Sequence, residues 1–216
     1  MSSYTINEDF FDSPWSEEKA YVLGYFFADS SIYRGEIRDR YEITISGSRL
    51  ESLETIKELM ESDHPIRQVG PGSYQIKVGS RQLVEYLEQL GLSDNKSETL
   101  TYPQGIPQDY ERHFVRGYFD GKGSFMIESG RRIVSNFSGA SLEFMEALRD
   151  RLVVHGMSRA NIHQYGEGGS SNMIRYYVRD TRHLVSLLYD EARIFSREQR
   201  ERYLGGYRNQ TSPTQE

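Results

Sequence analysis

The chain has 216 residues, of which 37% are hydrophobic and 27% charged, with a net charge of −6 and no cysteine. This composition predicts a folded globular protein, either one domain or two fused halves, and excludes a disordered chain, disulfides, a thiolate nucleophile and a zinc finger. No apolar run is long enough to span a bilayer and the first residues lack a secretion signal, so we expect a cytoplasmic, intracellular protein.

The first half predicts helices and strands in alternation. Ser16 is followed by two glutamates, which is typical of a helix start, and this helix is expected to end near Asp29. Alternating polar and apolar side chains predict a strand that ends at about residue 46. An apolar stripe then predicts a helix over 50–60, a Gly-Pro-Gly turn joins strands at 66–69 and 74–78, and a helix over 81–90 ends at Gly91.

The same order begins again after a linker around residues 103–107. A helix ending near Gly121 leads into strands at 125–127 and 132–137, a helix at 142–152 and a hairpin over 162–178. Helices are predicted over 184–189 and 197–203. The order αββαββα twice predicts a duplicated α+β fold, with an N-terminal extension at 1–15, halves at 16–101 and 102–207, and a flexible tail at 208–216.

Charge is distributed unevenly between the predicted strands and the rest of the chain. The strand windows 31–46, 66–81, 124–138 and 173–182 hold eleven basic and five acidic side chains, so they carry +6 and the remainder −12. A basic sheet backed by acidic helices is the electrostatic pattern of a DNA-binding surface. The alternative is that these are solvated strand faces of an ordinary domain.

One motif occurs in both halves. Gly-Tyr-Phe begins at Gly24 and again at Gly117, a spacing of 93 residues. A small residue follows four positions after each glycine, Ala28 in the first copy and Gly121 in the second. Residues at i and i+4 share one helix face, and small ones let two helix backbones approach closely. We therefore predict that the two motif helices cross at the interface between the halves.

The two copies differ where the helix ends. Asp29 closes the first copy, and Lys122 stands at the equivalent position of the second. A carboxylate at a helix C-terminus faces the negative end of the helix dipole, which costs roughly 0.3–1 kcal/mol unless a cation lies nearby. Asp29 is therefore predicted to bind Mg²⁺, which prefers carboxylate, water and phosphate oxygens. The alternatives are an exposed acid that begins a loop, or a pair in which the Lys122 ammonium replaces the cation.

Together these features resemble the single-chain LAGLIDADG homing endonucleases over about residues 15–205. The segments 90–97 and 106–117 also resemble parts of that family. The resemblance implies a pseudo-two-fold saddle of two four-stranded antiparallel sheets in the DNA major groove, with an acid at the foot of each motif helix. It implies a monomer that hydrolyses double-stranded DNA at a long, near-unique site with Mg²⁺ or Mn²⁺, whereas Ca²⁺ would bind without supporting cleavage.

The resemblance assigns roles to four residues. In the first site Asp29 aligns with the metal-binding acid and Lys96 with a basic helper. In the second site Lys122 replaces the acid, and Gln199 stands where the helper is expected, with neighbouring arginines at 197 and 200 as alternatives. Asp120 is not expected to substitute, because a residue two positions earlier on a helix points to a different face.

Lys122 leaves three interpretations open. The protein is a natural nicking or DNA-binding derivative with one working site, an inactivated form of an enzyme with glutamate here, or an enzyme that cleaves both strands slowly around a shared metal. The leading prediction is an endonuclease with impaired or strand-biased cleavage. The rival is a non-cleaving DNA- or RNA-binding derivative, such as a maturase or a regulator, while an intein is disfavoured because no splicing cysteine or terminal His-Asn pair flanks the module.

Polar residues that alternate along the predicted strands are the expected DNA contacts, because arginine binds guanine O6 and N7 in the major groove. These residues are Arg38, Arg40, Arg67, Gln75, Lys77, Arg175 and Arg179. The alternative for each of them is a solubilising position on the surface.

Overall fold

A computed structural model describes residues 4–12, 14–35, 40–92, 99–128 and 132–211, with side chains up to residue 205. The main helices in these ranges are α1 (Glu17–Asp29), α2 (Leu50–Leu59), α3 (Arg81–Gln89), α4 (Gln108–Lys122), α5 (Leu142–Val154), α6 (Val178–Tyr189) and α7 (Arg197–Thr211). The strands are β1 (Ser30–Gly35), β2 (Arg40–Gly47), β3 (Arg67–Gly70), β4 (Ser73–Val78), β5 (Gly123–Glu128), β6 (Arg132–Gly139), β7 (Ile162–Tyr165) and β8 (Ser171–Tyr176).

The strands form two antiparallel sheets of four. The first, sheet A, has the order β1-β2-β4-β3, and the second, sheet B, has the equivalent order β5-β6-β8-β7. Each half therefore contains the predicted αββαββα arrangement, and the predicted duplicated α+β fold is confirmed. In the second half, α7 follows this arrangement.

Each sheet packs one face against helices and turns the other face, here called the open face, away from them. In β2 the residues Tyr41, Ile43 and Ile45 are buried, while the alternate positions are exposed or half-buried. Helices α2 and α3 pack on the apolar side of sheet A, and α5, α6 and α7 pack on sheet B. The alternation predicted from the sequence thus separates a core face from an open face, as expected for a sheet covered on one side.

The N-terminal segment packs against the first half. The amide of Asn7 donates to the carbonyl of Met60 at 2.9 Å. Phe11 is fully buried and its ring lies against Phe26 and Tyr86. The residues assigned to an extension therefore contribute to the core of that half.

The end of the second half differs from the sequence prediction. The window 173–182 is not one strand, because β8 ends at Tyr176 and α6 begins at Val178. Thr181 faces the core with Leu184 and Leu188, which is a helical spacing, and its hydroxyl donates to the carbonyl of Tyr176. Helix α7 also extends to Thr211, past the predicted end and into the region expected to be flexible.

Moving these segments to helices reduces the basic excess of the strands without removing it. Arg81 is the first residue of α3, and residues 178–182 lie in α6. The described strands still hold six basic residues against two acidic ones, Glu42 and Glu128. Within the described ranges, no helix combines the length and apolar character required to cross a membrane.

Candidate nucleic-acid interface and active site

Helices α1 and α4 cross at the interface between the halves with their backbones in contact. A Cβ atom at Gly24 would lie 2.0 Å from the carbonyl oxygen of Phe114, and one at Gly117 would lie 2.0 Å from the carbonyl oxygen of Tyr21. Tyr21 and Phe114 are themselves 93 positions apart, so the two contacts are equivalent under the repeat. The predicted crossing of the motif helices is confirmed, and only glycine fits at either point.

A second pair of equivalent contacts ties each motif helix to its own sheet. The Tyr25 hydroxyl donates to the carbonyl of Ser46 in β2 at 3.3 Å. The Tyr118 hydroxyl donates to the carbonyl of Ser138 in β6 at 2.9 Å. Burial raises the pKa of both phenols, so both remain protonated donors. The ends of α1 and α4 are thereby held in register with the two sheets.

Asp29 and Lys122 meet where these helices end. The Lys122 Nζ lies 2.6 Å from the Asp29 Oδ1, and the side chains are 43% and 18% exposed respectively. Sheet A begins at the next residue of the first copy, Ser30, and sheet B begins at Gly123. Of the alternatives for Asp29, the structure shows the one in which the Lys122 ammonium pairs with the carboxylate. We call this pair, with the two helix ends that carry it, the helix-end site.

The residues at the helix-end site do not fit the two-metal centre that the family resemblance implies. Such a centre has an acid at each helix end, whereas here one acid is replaced by an ammonium that occupies an oxygen of the other. The pair is neutral overall, so it offers a dication little attraction. Among the residues that the structure describes, no group of three or more histidine, aspartate and glutamate side chains is arranged to hold a metal ion.

Asp120 is held in the interior, away from the helix-end site. Its carboxylate accepts from the Tyr21 hydroxyl at 3.0 Å, the Tyr189 hydroxyl at 2.7 Å and the Ser196 amide at 2.7 Å. Burial raises its pKa, although these donors oppose the shift. Asp120 is fully buried, so it does not replace the missing acid, in agreement with its helical position.

Of the two predicted helper residues, the structure describes only Gln199. Lys96 lies outside the described residues. Gln199 is fully buried, and its side-chain amide donates to the carbonyl of Gly123 at 2.6 Å. In this arrangement Gln199 fixes the backbone next to Lys122 instead of facing solvent. The two alternatives lie nearby, with Arg197 close to Glu51 and Arg200 over the ring of Phe195.

Sequence reasoning missed a set of buried charges that joins α1, α4 and the segment before α7. Arg116 donates to Glu17 at 2.7 Å and to the carbonyl of Leu188 at 3.1 Å. Burial tends to raise the pKa of Glu17, but the Arg193 amide and the Arg116 charge outweigh it and lower the pKa. Burial, reinforced by Arg116, lowers the pKa of His113 to about 4. The available signal was an arginine directly before the Gly-Tyr-Phe motif of the second copy, where the first copy has Leu23.

Arg49 is a second residue that the sequence did not indicate. Its guanidinium donates to the carbonyl of Asp120 at 2.9 Å and lies 3.4 Å from the Glu198 carboxylate. It therefore links the loop before α2 to the C-terminal end of α4 and the start of α7. This contact spans both halves close to the helix-end site, and no local pattern predicts it.

On the open face of sheet A, two predicted contact residues bind a carboxylate and two more face the same side. Arg40 and Lys77 bind Glu42 at 2.7 and 3.1 Å. Their hydrogen bonds lower the pKa of Glu42 against the effect of its partial burial, which would raise it. Gln75 faces the same side, paired in register with the exposed Arg67. Arg38 lies outside the described residues.

On sheet B the predicted contacts are divided between two layers. Arg175 lies on the open face of β8, where it donates to Asn136 at 2.8 Å and to Glu128 at 2.9 Å. Arg179 is an exposed residue of α6, on the helix layer. Its assignment to a strand was wrong. Tyr176, Tyr177 and Val178 are residue types that favour strands, but the strand ends at Tyr176 and the helix begins at Val178.

Two sheets carried by a pair of crossed helices define the duplicated fold of the LAGLIDADG homing endonucleases. Among solved structures, an I-DmoI variant in complex with its target DNA in the presence of manganese has a TM-score of 0.59 and 17% identity, over 80% of this chain and 93% of that chain. I-AabMI, a LAGLIDADG meganuclease bound to uncleaved DNA, has a TM-score of 0.61 and 11% identity. The match covers 88% of this chain and 89% of that chain. I-WcaI bound to its DNA recognition sequence has a TM-score of 0.60 and 10% identity, over 90% of each chain.

Sequence comparison gives weaker likenesses. No protein-family profile matches the chain. An uncharacterised protein of Methanocaldococcus jannaschii is 24% identical over 188 residues, which cover 82% of this chain and 64% of that protein. The replication factor C small subunit of the same organism is 29% identical over 158 residues, 68% of this chain and 8% of that protein. The chain thus spans less than two thirds of either relative.

Proposed function

We propose that this protein is a site-specific DNA-binding protein of the homing endonuclease type, in which the Asp29–Lys122 pair impairs cleavage. The observation that carries the proposal is the combination of two basic open sheet faces with a single acid at the helix-end site. The solved structures with this fold include complexes with DNA, which supports duplex DNA as the partner. A double-stranded target lying along both sheets would place one of its half-sites on each sheet.

The two sheets supply binding, and the helix-end site determines how much cleavage accompanies it. Arg40, Lys77 and Arg67 are exposed on sheet A and suit phosphate or guanine contacts. At the centre, Asp29 is the one acid of the pair, so residual hydrolysis is expected on one strand only. Hydrolysis there would require a divalent cation such as Mg²⁺ to compete with the Lys122 ammonium.

A second candidate is a DNA-binding derivative with no cleavage at all. The 2.6 Å contact between Lys122 and Asp29 favours it, because a protein ammonium already neutralises the carboxylate. This candidate and the first share the same DNA surface. They differ only in whether a nicked product forms on a bound target.

The test of DNA binding begins with selection of a preferred duplex from a randomised library. On that duplex, Arg40→Ala with Lys77→Ala should weaken binding and reduce the slope of log affinity against log salt by up to about 2, one phosphate contact for each cation. Lys57→Ala removes a cation from α2 in the helix layer and is the matched control. Equal losses from the sheet variant and the helix variant, or no sequence preference in the selection, would contradict the proposal.

A further inference from the structure

The open faces of the two sheets are built on the same framework with different chemistry at one position. Tyr33 pairs with Glu42 in sheet A, and the equivalent pair in sheet B is Met126 with Val134. The next pair along, Thr44 with Lys77, corresponds to Asn136 with Arg175. Val134 therefore takes the place of Glu42 in sheet B, and Met126 takes the place of Tyr33. The position that is charged in sheet A is apolar in sheet B.

Met126 is an accessible apolar group on this face. It is 47% exposed, whereas the preceding residue, Phe125, is buried on the opposite face of β5 against Phe119. Its partner Val134 is fully buried. It lies on the same open face as Met126 and not in the main hydrophobic core. The Asn136 side-chain amide donates to the Met126 sulfur at 3.1 Å, which orients the thioether.

Two of the charged neighbours of Met126 are already engaged with one another, while a third, Arg132, is exposed on the same face two positions from Val134. Arg175 uses its Nε on Asn136 and its Nη1 on Glu128, and its side chain is 26% exposed. The equivalent residue in sheet A, Lys77, is 54% exposed. A base edge approaching over Met126 would therefore meet the methionine and not the guanidinium of Arg175.

The thymine methyl is the apolar group that bases display in the major groove. Methionine is flexible and polarisable, so it adapts to such a group at small cost. Building on the proposed function, we infer that Met126, supported by Val134, contacts a thymine methyl in the half-site under sheet B. The two half-sites would then be read by different chemistry, polar under sheet A and partly apolar under sheet B.

The experiment uses the duplex recovered by selection, prepared with thymidine throughout or with deoxyuridine in one half-site at a time. Deoxyuridine keeps the base pairing and lacks the methyl group. The intact chain should lose about four-fold in affinity when the methyl contacted by Met126 is removed, the effect expected for one buried methyl group. Met126→Gln should bind both duplexes equally, while Tyr33→Gln, at the equivalent position of sheet A, should keep the discrimination.

Each other outcome has a distinct meaning. Selective binding that is unaffected by deoxyuridine, a loss that persists in Met126→Gln, or a selected site with no thymine in one half overturns the inference and leaves the proposed function standing. Failure to select any sequence overturns both.

Discussion

At the scale of single residues, the helix-end site is explained by helix electrostatics. An ammonium at the C-terminus of α4 interacts favourably with the helix dipole, whereas a carboxylate at the end of α1 does not. The pair places the favourable charge within 2.6 Å of the unfavourable one. Lys122 therefore stabilises both helix ends, and it does so at the position where the family resemblance implies a second acid.

Replacing Lys122 by glutamate should reverse this balance. Two carboxylates at paired helix ends are expected to lower the stability by about 1–2 kcal/mol in the absence of metal. Mg²⁺ should restore it, because the ion would bind the native state alone. The melting temperature of Lys122→Glu, with and without Mg²⁺, measures both effects.

Lys122→Gln is the control for that change, since it removes the ion pair without adding an acid. Its stability should fall less, because a partly exposed ion pair contributes at most about 1 kcal/mol. An equal Mg²⁺-dependent rise in the melting temperature of both variants would show that the added acid does not create the site.

At the scale of secondary-structure elements, the crossing of α1 and α4 determines where the two sheets lie. The repeated glycines made this crossing predictable. Gly24 and Gly117 each begin a pair of small residues four positions apart, and such a helix face lets two backbones approach closely. The buried charges were not predictable in the same way. Glu17 and Arg116 are 99 positions apart, and their pairing depends on how the halves dock.

The start of α6 shows a different limit of the sequence. Tyr176, Tyr177 and Val178 all favour strands locally, yet the core requires Thr181 and Leu184 on one helix face. Tertiary packing therefore overrides the local preference, which moved Arg179 from a predicted strand to a helix. The β2 alternation, in contrast, was predicted correctly because one face of the strand is buried along its length.

Gly24→Ala tests the crossing itself. The new methyl would lie 2.0 Å from the Phe114 carbonyl, which is backbone, so the helices must separate. We expect a loss of 3 kcal/mol or more, about the upper range for overpacked positions. Urea unfolding of Gly24→Ala beside Gly205→Ala provides the comparison, since none of the described atoms lies within 4 Å of a methyl at Gly205. A loss of stability no larger than that of Gly205→Ala would refute the close approach.

The interface between the helices should also make the protein sensitive to acid. His113 is neutral in the fold because burial lowers its pKa to about 4, whereas an unfolded histidine titrates near about 6.5. Its contribution is therefore complete above about pH 6.5 and is lost as the pH falls towards 4. His113→Gln should have a smaller difference in unfolding free energy between about pH 7 and pH 5 than the parent chain. An unchanged difference would mean that His113 does not titrate in this way.

At the scale of the whole molecule, the duplicated fold keeps its symmetry in the scaffold and loses it at the chemistry. The glycine contacts and the tyrosine hydrogen bonds repeat between the halves. The helix-end residues, the centres of the two open faces and the buried Asp120 do not. A symmetric scaffold with one acid at the helix-end site is consistent with the proposed function, in which both halves bind the DNA target and cleavage of its strands is impaired.

The most direct measurement is cleavage of a supercoiled plasmid that carries the selected target, with Mg²⁺ present. We expect the parent chain to leave the plasmid intact or to yield only open circles, and Lys122→Glu to yield linear product. Asp29→Asn, which should still bind the target, is expected to abolish any cleavage by the parent, since an amide lacks the carboxylate charge. Linear product from the parent at the rate of Lys122→Glu, or none from Lys122→Glu on a target that it binds, would contradict the central claim that Lys122 is what impairs the site.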